Sequence, residues 1–74
     1  MATFDTFLEN GMRCHKDNNI ELAIQNFTKC IELEPDNYAS YNNRELMHYH
    51  IDNFGMAIQD FNNSLLLNPN NIDP

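Results

Sequence analysis

Residues 19–37 read NIELAIQNFTKCIELEPDN, and residues 53–71 read NFGMAIQDFNNSLLLNPNN. An offset of 34 residues aligns the two stretches and brings eight identical pairs together. The pairs are Asn19/Asn53, Ala23/Ala57, Ile24/Ile58, Gln25/Gln59, Phe27/Phe61, Leu33/Leu67, Pro35/Pro69 and Asn37/Asn71. Self-similarity at a fixed period is the signature of a repeat architecture. The chain is therefore predicted to contain two copies of one structural unit.

The apolar residues of each unit recur at the spacing of an amphipathic helix. In the first unit they form two stripes, Phe4, Phe7, Gly11, Cys14 and Ile20, Ala23, Ile24, Phe27, Ile31. Pro35 ends the second stripe, because a proline disfavours helical geometry in the residue before it. Asn18, three residues before Glu21, is a candidate cap for the second helix.

The two units together predict four helices, at 4–17, 20–34, 38–51 and 54–67. Links of two or three residues force neighbouring helices to pack antiparallel. The predicted fold class is therefore all-α, a fragment of an α-solenoid built from antiparallel helix-turn-helix repeats. The repeats span 4–37 and 38–71 and form a single domain.

The charge of the chain limits its expected partners. It carries 11 acidic and 4 basic side chains, a formal net charge of -7. Such a chain repels phosphate backbones and anionic lipids, so neither nucleic acid nor a membrane is an expected partner. No apolar run is long enough to span a bilayer, and the start, MATFDTFLENG, lacks the basic and apolar regions of a secretion signal. The expected location is cytoplasmic, where Cys14 and Cys30 stay reduced.

The two units resemble the tetratricopeptide repeat. Its pattern has an aromatic residue, Leu-Gly and Tyr on the first helix, then Ala, an aromatic residue, a small residue and Pro on the second. The first unit fills these positions with Phe7, Asn10, Gly11, Cys14, Ala23, Phe27, Cys30 and Pro35. The second fills them with Tyr41, Arg44, Glu45, His48, Ala57, Phe61, Ser64 and Pro69. The resemblance, which covers residues 4–71, implies close helix approach at the small residues and aromatic packing of Phe27 and Phe61 between successive hairpins.

The resemblance also implies a ligand site in the concave groove lined by the first helix of each unit. The predicted groove residues are Leu8, Met12, His15, Asn42, Asn43, Leu46, Tyr49 and His50. The apolar members suit an amphipathic helix or an extended apolar peptide. Leu8 and Met12 stand where one subgroup of the family carries Lys and Asn to grip the C-terminal carboxylate of heat-shock chaperones, so that ligand is not expected. The alternative is that these residues flank the core or a dimer interface.

Glu45 departs from the pattern, because it occupies the position that Gly11 has in the first unit, opposite Ala57. A carboxylate there is either buried at a cost of several kcal/mol or pushes the two helices apart. Three interpretations stay open: a tolerated splay, a rearranged or exchanged second hairpin, and a pair with His48. Glu45→Gly removes this carboxylate, so the variant is expected to have a higher melting temperature.

The last helix carries extra apolar surface in Leu65, Leu66 and Leu67. The chain then stops at NIDP, without the polar capping helix that usually closes a repeat array. Exposed apolar surface on a marginal domain favours self-association. A homodimer or larger assembly is therefore predicted, by stacking of ends or exchange of hairpins, with Glu45, Leu65 and Leu66 in its interface.

No cofactor, metal site or catalytic site is predicted. His15 and His50 can approach each other across the groove, but the chain has no HExxH motif and no Cys/His cluster. It has no Ser-His-Asp candidate and no glycine-rich phosphate loop. The chain is therefore expected to bind rather than to catalyse.

The leading function predicted from the sequence is a protein-interaction module that takes a peptide or helix of a partner in the groove. The first alternative is a structural self-assembly unit whose apolar surfaces serve its own oligomer. The second is an engineered or excised two-repeat unit without a ligand. Repeat scaffolds share a fold while their ligands differ, so the partner's identity is left open.

Overall fold

The computed structural model describes residues 2–70. The elements in chain order are α1 (Phe4–Lys16), α2 (Ile20–Leu33), α3 (Tyr38–His50) and α4 (Phe54–Leu67). Helix accounts for 78% of this part of the chain, which contains no strand. The predicted all-α fold class is therefore confirmed.

The bounds of the helices differ slightly from the prediction. The first three helices end one residue earlier than predicted, and the fourth has the predicted bounds. Asn71, the predicted end of the second repeat, lies outside the described residues. Between residues 2 and 70, no helix has both the length and the apolarity needed to cross a membrane.

Each hairpin turns at a residue with left-handed backbone geometry. Asn18 has φ 63°, and Asp52, its counterpart one repeat later, has φ 61°. Asn and Asp adopt this conformation more readily than most residues, because their short polar side chains can bond locally. The backbone N–H of Asn19 donates to the carbonyl of Cys14 at 2.7 Å, which closes α1.

The predicted side-chain cap of α2 is wrong. Asn18 ends α1 instead, and Asn19 precedes α2 without a side-chain hydrogen bond to the helix. An N-cap residue needs extended rather than left-handed geometry, so the left-handed turn excludes Asn18 as the N-cap of α2. The start of α3 does have such a cap, where Asn37 accepts from the N–H of Ala39 at 3.1 Å.

The core lies at the junction of two helical hairpins. Helices α1 and α2 form the first hairpin, α3 and α4 form the second, and α2 packs against α3 between them. The core cluster contains Ile20, Ala23, Phe27 and Met47, with Leu8, Cys14 and Ile24 packed against it. Met47 of α3 is only 1% exposed, because it inserts into the surface of the first hairpin.

Phe27 and Phe61 do not share one environment, although the repeat pattern predicts that both pack between hairpins. Phe27 is 2% exposed, whereas Phe61 is 37% exposed. Helix α3 covers Phe27, and within residues 2–70 no helix follows α4 to cover Phe61. The prediction for Phe61 is therefore wrong for the part of the chain that the structure describes.

Gly11 makes room for an aromatic ring rather than for the small residue on the facing helix. A Cβ atom at Gly11 would lie 2.5 Å from Cε1 of Phe27, well inside van der Waals contact. Phe27 is buried, so its ring cannot move aside without opening the core. The contact explains a glycine in mid-helix, where it costs about 1 kcal/mol relative to alanine.

Gly11→Ala is expected to lower the free energy of unfolding by about 1 kcal/mol, because overpacking outweighs the helical gain of alanine. Gly55→Ala is the matched control, since a Cβ there meets nothing within 4 Å. The control should gain up to about 1 kcal/mol from helix propensity alone. Urea denaturation followed by circular dichroism measures both changes. Equal stabilities of the two variants would contradict the close contact between Gly11 and Phe27.

Candidate functional site

The predicted groove residues lie on α1 and α3, and three of the four apolar ones are exposed. Met12 is 57% exposed, Leu46 53% and Tyr49 63%. Leu8 is half-buried, because it packs against the core cluster. We call this surface the groove, and it comprises Leu8, Met12, His15, Asn42, Asn43, Leu46, Tyr49 and His50. Three large apolar side chains exposed on the first helices of both hairpins make it a candidate interaction surface.

His15 and His50 join the two first helices at one end of the groove. Their ring centroids lie 5.5 Å apart, with the rings inclined at 71°. Both side chains are exposed, and imidazole can donate or accept hydrogen bonds to a ligand. Over residues 2–70, no three His, Cys, Asp or Glu side chains are placed together to hold a metal ion.

A second surface lies on the second hairpin. We call it the end face, and its lining residues are Glu45, Tyr49, Phe54, Ala57, Ile58 and Phe61. They surround an open cavity of about 340 Å³. Phe54 is 50% exposed and Ile58 60%. Tyr49 belongs to both surfaces, since its ring centroid lies 5.4 Å from that of Phe54.

The three residues predicted for an oligomer interface do not share one surface. Glu45 lines the end face, and Leu65 extends the stripe that Phe54 and Phe61 begin on α4, at the spacing of one helix face. Leu66 is 81% exposed and lies about 100° further round the same helix. An interface built on the end face would therefore include Leu65 more readily than Leu66.

Glu45 is half-buried at the end face. Burial raises the pKa of its carboxyl group, and the negative charge of Asp60 raises it further. Nε2 of His48 lies 3.8 Å from Oδ2 of Asp60, so His48 faces Asp60 rather than Glu45. Of the three interpretations left open for Glu45, the pair with His48 is therefore wrong. Since α3 and α4 still pack as one hairpin, the carboxylate is tolerated. The effect of Glu45→Gly stays a prediction, and it must outweigh about 1 kcal/mol that glycine costs in a helix interior.

A buried ion pair, which the sequence reasoning did not predict, ties three helices together. Arg44 of α3 donates from Nε to Oδ2 of Asp60 on α4 at 2.9 Å, and from Nη2 to Oδ1 at 2.7 Å. Its Nη1 donates to Oγ1 of Thr28 on α2 at 3.2 Å. The side chain of Asp60 is 1% exposed and that of Arg44 17%. Hydrogen bonding to Asp60 raises the pKa of Arg44, and a bidentate pair of this kind is among the strongest in proteins.

The repeat offset contains a signal for this pair. Arg44 and Asp60 stand where the first unit has Asn10 and Asn26, so two neutral side chains are replaced by opposite charges. Charged residues are seldom fully buried unless they are paired. Opposite charges that change together between repeats therefore indicate a contact. The additional bond to Thr28 has no such signal in the sequence.

His48 lies beside the ion pair and is 7% exposed. Burial lowers the pKa of its imidazole; the charge of Asp60 opposes this change and that of Arg44 adds to it. Its Nδ1 atom has no hydrogen-bond partner among the described residues. His48 is therefore neutral in the folded protein near neutral pH.

We expect the protein to lose stability as the pH falls below 6.5, the ordinary pKa of histidine. The unfolded chain binds a proton there while the buried His48 does not, so acid favours the unfolded state until the pH reaches the folded-state pKa. His48→Gln should flatten the stability profile in this range, and the exposed His50→Gln should not. Urea midpoints between about pH 5 and 8 measure the difference. Identical profiles for the two variants would contradict the role of His48.

Two antiparallel hairpins at a 34-residue offset are consistent with repeats of the tetratricopeptide kind. Over 70 residues the chain is 33% identical to the human Protein SGT1 homolog and 30% identical to human Sperm-associated antigen 1. Each match covers 95% of this chain, but 19% of the first relative and 8% of the second. Both relatives contain tetratricopeptide repeats, which agrees with the helical architecture. No family model and no solved structure matches the chain.

Proposed function

We propose that this chain is a protein-interaction module that binds a peptide or a helix of a partner protein in the groove. The observation that carries the proposal is the exposure of Met12, Leu46 and Tyr49 on the first helices of the two hairpins. Side chains of this size are suitable anchors, because burying each on binding contributes up to about 3 kcal/mol. The tetratricopeptide character of the relatives supports protein partners in general.

The surroundings of the anchors favour one kind of ligand. His15 and His50 offer polar contacts at one end of the groove. The net charge of -7 attracts basic partners at long range. The proposed ligand therefore combines apolar anchors with a positive charge, and the proposed role is binding without catalysis. The proposed location is the cytoplasm, and two cysteines that form no disulfide support that proposal, because thiols stay reduced there.

The choice of variant decides what a binding experiment measures. Tyr49 does not separate the groove from the end face, because it lines both. Leu46 lies only in the groove and is 53% exposed, whereas Ile58 lies only in the end face and is 60% exposed. Changes at these two residues therefore separate the two surfaces. Leu22, 42% exposed on α2, lies outside both surfaces and provides a matched control. A glutamate at any of these exposed positions is expected to leave the fold intact.

We expect Leu46→Glu to weaken binding in the groove at least about tenfold, and Leu22→Glu to leave it unchanged. Peptides selected from a displayed library on the immobilised chain supply the ligands. Fluorescence anisotropy then measures their Kd for each variant. If the selected peptides bind Leu46→Glu and Met12→Glu as tightly as the unaltered chain, the groove is not the binding site.

The second candidate function is a self-assembly unit, which the exposed apolar residues of the end face favour. A homodimer, with or without exchange of hairpins, would cover Phe54, Ile58 and Phe61. Sedimentation equilibrium at high micromolar concentration tests this candidate. Ile58→Glu should dissolve the assembly, whereas Leu22→Glu should not. An unaltered chain that stays monomeric would exclude self-assembly.

A further inference from the structure

The end face repeats, one unit later, the surface of the first hairpin on which α3 rests. The offset of 34 residues matches Phe54 with Ile20 and Phe61 with Phe27. Ile20 is 8% exposed and Phe27 2%, because α3 covers them, whereas Phe54 is 50% exposed and Phe61 37%. The same apolar chemistry is thus covered by a helix in the first hairpin and exposed in the second. The end face therefore has the same kind of apolar residues as the interface that this chain already forms between α2 and α3.

Met47 is the side chain that enters the corresponding surface of the first hairpin. It is 1% exposed and belongs to the core cluster formed with α2. The matching residues of the end face are Phe54, Ala57 and Phe61, which border the cavity of about 340 Å³. A helix lying on the end face as α3 lies on α2 would place a medium-sized apolar side chain in that cavity.

Glu45 requires that a helix bound to the end face carry a positive charge. It stands where the first hairpin has Gly11, and it is the one charged residue among those that line the cavity. A helix that covers the end face removes water from this carboxylate, which is costly unless a cation pairs with it. Arg44 cannot supply that cation, because its guanidinium is held by Asp60. The occupant should therefore bring its own Lys or Arg.

A second copy of this chain, stacked end to end on the first, would supply a cation but not the apolar side chain. The counterpart of Met47 on α1 is Arg13, and the counterpart of the buried Ser40 is Thr6; both are exposed. Stacking would place a guanidinium in the apolar cavity, with no apolar side chain to fill it. The first helix of this chain therefore does not match the end face.

We propose that the end face is a docking site for an amphipathic α-helix of another protein. The helix lies as α3 lies on α2, with a methionine- or leucine-sized side chain between Phe54, Ala57 and Phe61. A lysine or arginine one turn away pairs with Glu45. This site shares only Tyr49 with the groove and does not depend on the function proposed for the groove.

Two constrained helical peptides of 13 residues, the length of α3, test the proposal. Both carry a central methionine, and they differ in having lysine or glutamate one turn away. Fluorescence anisotropy with the full chain is expected to give a Kd at least about tenfold lower for the lysine peptide. Ile58→Glu should abolish binding of both peptides. Glu45→Gln should remove the preference for lysine, and Leu22→Glu should change neither Kd.

Three results with the peptides would overturn the proposal: no saturable binding of the lysine peptide, equal Kd values for the two peptides, or a preference for lysine that survives Glu45→Gln. A dimer of the unaltered chain that Ile58→Glu dissolves would also overturn it, since the occupant would then be a second copy. Circular dichroism checks the fold of each variant. If Ile58→Glu does not fold, Glu45→Gln decides alone. Failure of the groove would show in Leu46→Glu and leave these results unaffected.

Discussion

Asp60→Ala is expected to lower the free energy of unfolding by about 3–5 kcal/mol, because removing one partner of a buried ion pair leaves the other charge uncompensated. Asp60 is 1% exposed and accepts two hydrogen bonds from Arg44, which also donates to Thr28. A domain of this size seldom has more than about 3–5 kcal/mol of stability in total. The variant should therefore be largely unfolded at room temperature.

Far-UV circular dichroism during urea titration measures the loss, and a constant concentration of trimethylamine N-oxide restores a measurable transition if the variant is unfolded. Arg44→Met combined with Asp60→Leu replaces the pair by apolar side chains and should stay near the original stability. Lys29→Ala is the surface control: it breaks a 3.4 Å ion pair with Glu32 in which both side chains are 59% exposed. That change should cost at most about 1 kcal/mol. A similar loss in Asp60→Ala and Lys29→Ala would show that the buried pair does not stabilise the fold.

Phe27→Ala is expected to lower the free energy of unfolding by about 3–5 kcal/mol, whereas Phe61→Ala should lower it by only about 1–2 kcal/mol. The two residues hold the same position in successive repeats, but Phe27 is 2% exposed and Phe61 37%. Truncation of Phe27 leaves a cavity between Gly11 and Met47 that the close-packed junction fills only in part. Truncation at Phe61 leaves open surface that water can occupy.

Urea midpoints of the two variants measure this difference directly. Phe27→Leu, which retains most of the apolar volume, provides a milder change if Phe27→Ala does not fold, and it should cost less than about 1.5 kcal/mol. The comparison also tests the environment of the end face. If Phe61→Ala is as destabilising as Phe27→Ala, then Phe61 is covered in solution by something that residues 2–70 do not supply.

The helices and their order could be predicted from the sequence, because they follow from local rules. A stripe such as Ile20, Ala23 and Phe27 specifies a helix and its buried face within a few turns of chain. Pro35 limits where that helix can end. The repeat offset then predicts the second hairpin from the first. The ends shifted by one residue because turn geometry competes with the helix there, as the left-handed Asn18 shows.

The contacts between the hairpins could not be predicted in the same way. Arg44 bonds to Thr28 and to Asp60, each 16 residues distant in sequence, and only the packing of α2 and α4 against α3 brings the three together. His48 faces Asp60 for the same reason, although Glu45 is its nearer carboxylate in sequence. Tyr49 was predicted for the groove alone, and its contact with Phe54 places it in the end face as well.

The sequence by itself determined that this chain forms two all-α hairpins with a 34-residue offset, since period, turn residues and prolines act over short distances. It also identified Met12 and Leu46 as candidate anchors of the groove. Only the tertiary structure decided which of two matching residues is core and which is surface. Phe27 and Phe61 are identical in type and repeat position, yet one is buried and the other exposed. Burial depends on the helix that packs next to a residue, and that neighbour is a property of the assembled fold.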